Sequence, residues 1–378
     1  MKTETLVCST LSAPEATVLM NRAPICDMWN HPLAISITRF KHKSLADFTL
    51  NNHVGCSHGC PACYVPEVSA RKLRRFLARY AVVDPDCEWG RYQLLRPFRA
   101  KEFLASLKAA KYYPAEKLLH GGHRAVMVST TTDAFAPVCH PDRTRQAELL
   151  AYRDATLTQA LELIRDRSDL NVRVLTRSNY AMRPGFVELF RSFGQRLMFG
   201  TSLPCLNHEL VRAYEPRATP PRARLEMLAQ ARAAGLATFV AVAPVYPDVT
   251  DDELREVMTA VGDAGGMTIF LEPLHVRAGN IERIRAGFAG TGITPKLDAF
   301  KSAGETVLYA MRVLKGAERI AIETGVADRL HLWPDQELLE SAAARKVIPD
   351  WDAHTAWLHR CWGRISEWPG SSPAEVAT

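Results

Sequence analysis

The chain has 378 residues, of which 47% are hydrophobic and 23% charged. That length suits one barrel with extensions. No run approaches the roughly 18 consecutive apolar residues of a membrane span, and nine cysteines, scattered outside one cluster, exclude a small secreted disulfide scaffold. Residues 1–10 carry no apolar core of signal-peptide length, so a reducing cytoplasm is the expected location. The net charge is +6 and uneven: from Arg71 to Arg124 there are thirteen Lys/Arg against five Asp/Glu. That stretch reads either as a solvated helical face or as a phosphate-contacting surface.

Residues 1–33, with Cys8, Cys26 and Trp29, show no regular pattern. The run LAISITRF (33–40) is β-branched and apolar and predicts a strand. FTLNN (48–52) predicts a short strand that runs directly into a cysteine-rich loop. A basic helix is expected over 69–80, a connection with Pro85, Gly90 and Pro97 over 81–98, and another helix over 99–119. From Ala125 the pattern is regular. Strands are expected at 125–130, 171–176, 197–202, 237–244 and 267–273, and helices near 144–166, 184–193, 220–234 and 251–264. Gly235 stands where a helix C-cap is expected, and Thr250 where an N-cap is expected. With the strand before the cysteines this makes six β/α units, hence a parallel sheet. Six units close as an incomplete barrel or lie open as a doubly wound sheet, and the pattern alone does not choose. The C-terminal part predicts helices near 297–316 and 335–346, a Trp-rich cap, and a disordered tail after Pro369.

The loop Gly55-Cys56-Ser57-His58-Gly59-Cys60-Pro61-Ala62-Cys63-Tyr64 carries three cysteines spaced Cys-x3-Cys-x2-Cys. Three readings compete. Structural zinc wants four ligands, usually as two pairs, and no second Cys-x2-Cys exists, which leaves His53 or His58 as a fourth. Inert buried thiols fit poorly with the close spacing and the glycines. A four-iron, four-sulfur cluster with one iron free of protein thiolate fits the count. The position after the first strand of a β/α series favours this third reading, because barrels keep their active sites at that end of the strands.

With its Cys-x3-Cys-x2-Cys motif and Tyr64 after the third cysteine, the chain resembles the radical S-adenosylmethionine (radical SAM) superfamily. Ala62 stands where an aromatic residue is common. Within the superfamily it is similar to the spore photoproduct lyase-like branch, through ADFTLNNHVGCSHGCPACY (46–64), STTTDAFAP (129–137), Tyr214-Glu215-Pro216 with Arg217 and Arg224, AVAPVYP (241–247) and HLWP (331–334). The resemblance implies a partial (β/α)6 TIM-like barrel over 46–290, with an N-terminal extension (1–45) and a C-terminal helical cap and tail (291–378). It implies Cys56, Cys60 and Cys63 as ligands of a [4Fe-4S] cluster. It implies contacts to S-adenosylmethionine from Tyr64, Thr131, Thr132, Asp133, Arg177 and Thr201 or Ser202. A one-electron reductant such as flavodoxin or ferredoxin is the implied partner. The authentic lyases place a hydrogen-donating cysteine on the second strand, where this chain has Thr130, whose O–H bond is too strong for that task. Cys139 and Cys205 are the candidate substitutes.

The functional expectation is therefore a radical enzyme that abstracts a hydrogen atom, acting on a nucleic-acid base. The alternatives are a radical enzyme acting on a small metabolite and a non-catalytic iron–sulfur carrier or sensor. Three cysteines argue against a carrier, which usually has four protein ligands.

Overall fold

The apolar runs become strands near their expected limits, since each is rich in Val, Ile, Leu or Phe and bounded by turn-forming residues. The computed structural model describes residues 22–370, apart from 39, 41, 119, 120 and 278 and the side chains of 68–71. Cys8 and the stretch beyond Gly370 lie outside the described residues. The strands are β1 (Ile25–Met28), β2 (Ile35–Ile37), β3 (Phe48–Leu50), β4 (His53–Gly55), β5 (Tyr92–Leu95), β6 (Ala125–Val128), β7 (Asn171–Thr176), β8 (Leu197–Ser202), β9 (Ala237–Val245), β10 (Thr268–Pro273) and β11 (Leu330–Leu332). The helices are α1 (Val65–Leu77), α2 (Ala100–Lys111), α3 (Arg143–Arg167), α4 (Pro184–Arg191), α5 (His208–Tyr214), α6 (Pro221–Ala233), α7 (Asp251–Asp263), α8 (Asn280–Gly287), α9 (Ala303–Glu323), α10 (Glu337–Glu340), α11 (Ala342–Val347) and α12 (Trp351–Gly363).

The main sheet has the order β11-β10-β9-β8-β7-β6-β3-β2. Its strands run parallel from β3 to β11, and β2 is antiparallel at one edge. All six expected parallel strands are present, and β11 adds a seventh from the region expected to be only a helical cap. Gly235 has φ +81° just past α6, and Thr250 caps α7 in a reciprocal box with Glu253, as the sequence predicts.

The structure departs from expectation around the cysteines. FTLNN does not run into the loop: β3 ends at Leu50 and β4 pairs into a separate sheet of order β1-β5-β4. Asn51 makes the break, because its Oδ1 accepts the N–H groups of Thr130 and Thr131, each at 3.0 Å. The supposed connection 81–98 contains β5, and the irregular start contains β1. Among the described residues no helix is long and apolar enough to cross a membrane.

Side-chain alternation separates two environments. Val126, Val128, Val172, Val174 and Phe199 point to one face and pack under α2, α3, α4 and α6. Val240, Val242, Ile269 and Leu271 on that same face pack under α5, α7 and α9. The opposite, inner face joins Ala125, Met127, Met198, Phe239 and Phe270 to Leu45, Ala46, Trp333 and Trp368, and no member of this cluster lies in a helix. At its centre is Arg173, fully buried on β7. It donates to Ser44 O (2.8 Å), Leu45 O (2.5 Å), Ser366 Oγ (2.9 Å) and Glu367 O (3.4 Å). Its guanidinium lies over the rings of Phe239, Phe270 and Trp368. The inner face thus tapers. Towards the strand starts it carries Arg173, Met198, Phe239 and Phe270. Two and four residues later it carries Gly200, Ser202, Ala241 and Ala243, with Leu175, Arg177 and Glu272 as the larger exceptions. Small side chains at the C-terminal ends leave room above the bulky layer.

Candidate active site

The cysteine loop is bent onto β5 by two close backbone approaches. Gly55, with φ +80°, sits where a Cβ would lie 2.2 Å from Tyr92 O. Gly59 (φ +62°) faces Gly90 (φ +91°), and a Cβ on Gly90 would meet Gly59 Cα at 2.6 Å. Only glycine meets both demands. Arginines from distant elements then tie down the loop's carbonyls. Arg217 Nη1 donates to Ser57 O at 2.8 Å and to Gly90 O at 2.7 Å. Arg283, on α8, donates to Cys63 O at 2.6 Å and Pro61 O at 3.2 Å and pairs with Asp86. Ser57 Oγ donates to Pro137 O.

Cys56, Cys60 and Cys63 are all unpaired thiols. Burial pushes Cys56 up to about 12 and raises Cys60 and Cys63 as well. Among the described residues no three His, Cys, Asp or Glu side chains are already arranged as a metal cage; the loop holds its thiols as neighbours. Of the two imidazoles that a zinc reading would draw on, His53 faces Gln93 on β5. His58 is engaged on both sides, with Nδ1 3.1 Å from Arg217 O and Nε2 3.0 Å from Asp133 Oδ2. The donor set is therefore three soft sulfurs, which suits an iron–sulfur centre better than a hard cation, and the positive-φ glycines let the loop close tightly.

Asp133 joins the loop to the sheet. It accepts from Thr176 Oγ1 (2.7 Å), Arg177 N (2.7 Å) and Phe135 N (3.0 Å), besides its contact with His58. Burial opposes its charge, but His58 and these donors hold its carboxyl well below the usual range. Thr130 is a hub too. Its Oγ1 lies 2.8 Å from Thr49 Oγ1, Asn51 Nδ2 donates to it at 3.3 Å, and Tyr64 Oη donates to Thr130 O at 3.0 Å. The neighbouring Ser129 has φ +71°, a strained value for a residue with a Cβ. Thr131 is half-buried, and Thr132 Oγ1 is buried without a hydrogen-bond partner among the described residues.

Arg177 follows β7 on the inner face. Its Nε donates to Glu215 Oε1 at 3.0 Å and its Nη2 to Ala243 O at 3.3 Å. Glu215 also binds Arg224 and accepts from Tyr246 Oη at 2.7 Å. Burial opposes ionisation of Glu215, yet Arg224 and Arg177 outweigh it and hold the carboxyl at about 2. Two guanidiniums on one carboxylate leave a net positive site at the mouth of the inner face.

The expected residues divide by position. Tyr64, Asp133, Arg177 and Ser202 come together around the loop and the inner face. Thr201 points the other way, and its Oγ1 donates to Thr176 O at 2.7 Å. Ser202 Oγ donates to Ala243 O at 2.7 Å. Cys205 is fully buried in the outer core among Leu203, Leu210 and Val242, away from the inner face. Cys139 is half-buried, with its Sγ 4.0 Å from Pro137 O. Sequence reasoning missed His58 as a support and gave no role to Asn280 and Arg283. Both reach the loop from more than 200 residues away, and nothing in a helix start signals that.

No protein-family model matches the chain. An uncharacterized protein, ORF301, of Acidianus two-tailed virus is 31% identical over 251 residues, covering 65% of this chain and 73% of the viral one. A second uncharacterized protein, from Methanocaldococcus jannaschii, is 22% identical over 209 residues, covering 55% of this chain and 64% of its own length. Among solved structures, spore photoproduct lyase with bound AdoMet and dinucleoside spore photoproduct aligns over 86% of both chains, with a TM-score of 0.53 and 13% identity. Spore photoproduct lyase complexed with dinucleoside spore photoproduct gives a TM-score of 0.56 at 12% identity, again over 86% of both chains. At these identities the likeness is one of fold.

Proposed function

We propose that this chain, which belongs to one family with ORF301 of Acidianus two-tailed virus and has the fold of spore photoproduct lyase, is a radical S-adenosylmethionine enzyme. The observation that carries this reading is the Cys56-x3-Cys60-x2-Cys63 loop, with three unpaired thiols, folded against the open end of a one-sided parallel sheet. On this reading β3 and β6 to β10 are a partial (β/α)6 barrel, to which the extension 1–45 adds β2 at one edge and the cap 291–378 adds β11 at the other. Cys56, Cys60 and Cys63 would hold a [4Fe-4S] cluster, which, with S-adenosylmethionine and one electron from a flavodoxin- or ferredoxin-like reductant, would supply hydrogen-atom abstraction from the substrate, the sulfonium carbon–sulfur bond breaking with methionine as the leaving group.

The chain's own residues position and exclude. Arg217 and Arg283 fix the loop's carbonyls, and His58 locks it to Asp133. Arg177, oriented by Glu215, offers a cation to an anionic group of the cofactor. Tyr64, Thr131 and Thr132 line the cofactor's approach, and Ser202 takes the inner-face role that Thr201 cannot. The layer of Arg173, Phe239, Phe270 and Trp368 seals the far end against water, which a primary carbon radical requires. Cys205 lies in the outer core, so Cys139 is the remaining candidate hydrogen donor.

A nucleic-acid base is the substrate that the surface favours. Lys72, Arg74, Arg75 and Arg79 are all exposed on and just after α1, which leaves the cysteine loop directly, and such a row attracts phosphates. Thr130 favours the second reading, a small metabolite, because its hydroxyl is bonded to Thr49 and Asn51 and no thiol stands there.

Anaerobic loading with iron and sulfide, then dithionite and S-adenosylmethionine, is expected to release 5′-deoxyadenosine, and Cys60→Ala is expected to abolish it. A loaded wild-type protein that releases none overturns the proposal. Salt-dependent binding of single-stranded DNA or RNA, weakened by reversing Lys72, Arg74, Arg75 and Arg79, separates the nucleic-acid reading from the metabolite one.

A further inference from the structure

A second group of charges stands on the inner face. On β10, Glu272 lies two residues beyond Phe270 and therefore on the same side of the strand. Its Oε1 is 2.5 Å from Lys43 Nζ and 2.8 Å from His275 Nε2. Lys43 Nζ sits 5.1 Å above the ring of Trp333, which stacks on Phe270. Asp335 Oδ2 lies 3.3 Å from His275 Nδ1 and 3.1 Å from Arg277 Nη2. The group is tied to the cysteine loop by Asn280, which is fully buried and donates to His275 O at 2.8 Å and to Ala62 O at 3.4 Å. Burial opposes the charge on Glu272, but Lys43 and His275 outweigh it and keep the carboxylate ionised, at about 2.

We infer that Lys43 and Glu272 form a specificity subsite that takes a neutral group with an adjacent hydrogen-bond acceptor and donor, such as a carboxamide or cyclic imide. The inference rests on the reading of the inner face as the reaction chamber. The two side chains are 25% and 18% exposed, so a ligand can reach both while much of their hydration is already gone. A full anion placed there meets Glu272 and Asp335, and a full cation meets Lys43 and Arg277. Either juxtaposition of like charges costs several kcal/mol on the order seen at interfaces. A group whose carbonyl accepts from Lys43 while its N–H donates to Glu272 meets neither penalty and forms two charge-assisted hydrogen bonds. Selection works here by rejecting charge as much as by binding the neutral group.

The test uses the full chain with 15N-labelled tryptophan. The Trp333 indole signal, assigned through Trp333→Phe, reports on the subsite. Three probes of similar size are titrated: succinimide (neutral), propionate (anion) and propylammonium (cation). With the wild type only succinimide is expected to move the signal saturably. Glu272→Gln is expected to admit propionate, Lys43→Met to admit propylammonium, and each to weaken succinimide by about tenfold. Glu272→Gln keeps side-chain length and Lys43→Met shortens it by one atom, and the remaining indole signals check the fold. The proposal is overturned if succinimide leaves Trp333 unmoved, or if both variants keep the wild-type order of probes. The readout needs no cluster and no turnover. Release of 5′-deoxyadenosine by the loaded wild type reports separately on the radical reading.

Discussion

His58 Nε2 lies 3.0 Å from Asp133 Oδ2 with both side chains buried, so the loop that carries the cysteines is bonded to the segment that follows the second parallel strand. Asp133 also receives Thr176 Oγ1 and Arg177 N. Asp133→Ala removes the shared acceptor of these groups and of Phe135 N, so it strands four donors at once, at an expected cost of about 3–5 kcal/mol. Asp133→Asn keeps the shape but places an amide N–H where His58 or a backbone N–H expects an oxygen. It is expected to lie between Asp133→Ala and wild type in urea midpoint. Equal midpoints for all three proteins would mean that the junction carries no stability.

Part of the acid sensitivity should come from Glu215, alongside Asp133 and Glu272, whose carboxyls are depressed as well. The Glu215 carboxyl is held at about 2 against an ordinary 4.5, with Arg224 and Arg177 outweighing burial. A depressed carboxyl contributes stability in full above its unfolded value and loses it as pH falls through the folded one. The window is therefore about pH 4.5 down to about 2, and the amount on the order of 3 kcal/mol. Glu215→Gln is expected to be less stable than wild type at pH 7 and to show a flatter stability curve across that window. Chemical denaturation at stepped pH measures both. A Gln variant with an unchanged acid limb would place the titrating group elsewhere.

Much of this arrangement was legible before the structure, and the limits are physical. Strands β6 to β10 are continuous apolar runs between turn residues, so their bounds could be read to within a residue or two. Period-two alternation from Met198 selects Ser202 over Thr201 for the inner face, a choice the resemblance left open. β5 hid behind Gly90 and Pro97, which read as loop punctuation, although Gly90 is there for its contact with Gly59. β11 has three residues, too few for any periodicity. The supports of the cysteine loop, Arg217, Asn280 and Arg283, act on carbonyls, and a backbone acceptor leaves no mark in sequence.

The Gly59–Gly90 approach gives a paired test. Gly90 has φ +91° and a Cβ there would lie 2.6 Å from Gly59 Cα, whereas Gly235 has φ +81° with nothing within 4 Å. Gly235→Ala therefore measures conformational strain alone, about 1–2 kcal/mol. Gly90→Ala adds displacement of the cysteine loop. It is expected to cost at least about 1 kcal/mol more and to reduce iron incorporation, while Gly235→Ala loads normally. Equal stability and equal loading of the two variants would remove the close contact from the account.

Arg173 is the last point of leverage, because two chain segments depend on it. Its guanidinium holds the carbonyls of Ser44 and Leu45 on one side and Ser366 Oγ and Glu367 O on the other. Ser366 returns the contact, with its Oγ donating to Ser44 O at 2.6 Å. Arg173→Met fills much of the volume but leaves these buried acceptors short of donors, at about 1–3 kcal/mol each where water cannot replace them. Ser366→Ala removes one acceptor and one donor of the same junction, so the two losses should not add: a double-mutant cycle is expected to show a coupling of at least about 1 kcal/mol. Loosening of the segment 364–368 should also expose Trp368, now buried beneath the guanidinium, and speed tryptic cleavage after Arg364. If Arg173→Met and Ser366→Ala act additively and the cleavage rate stays at the wild-type value, the arginine is only filling space and the two segments are held by something else.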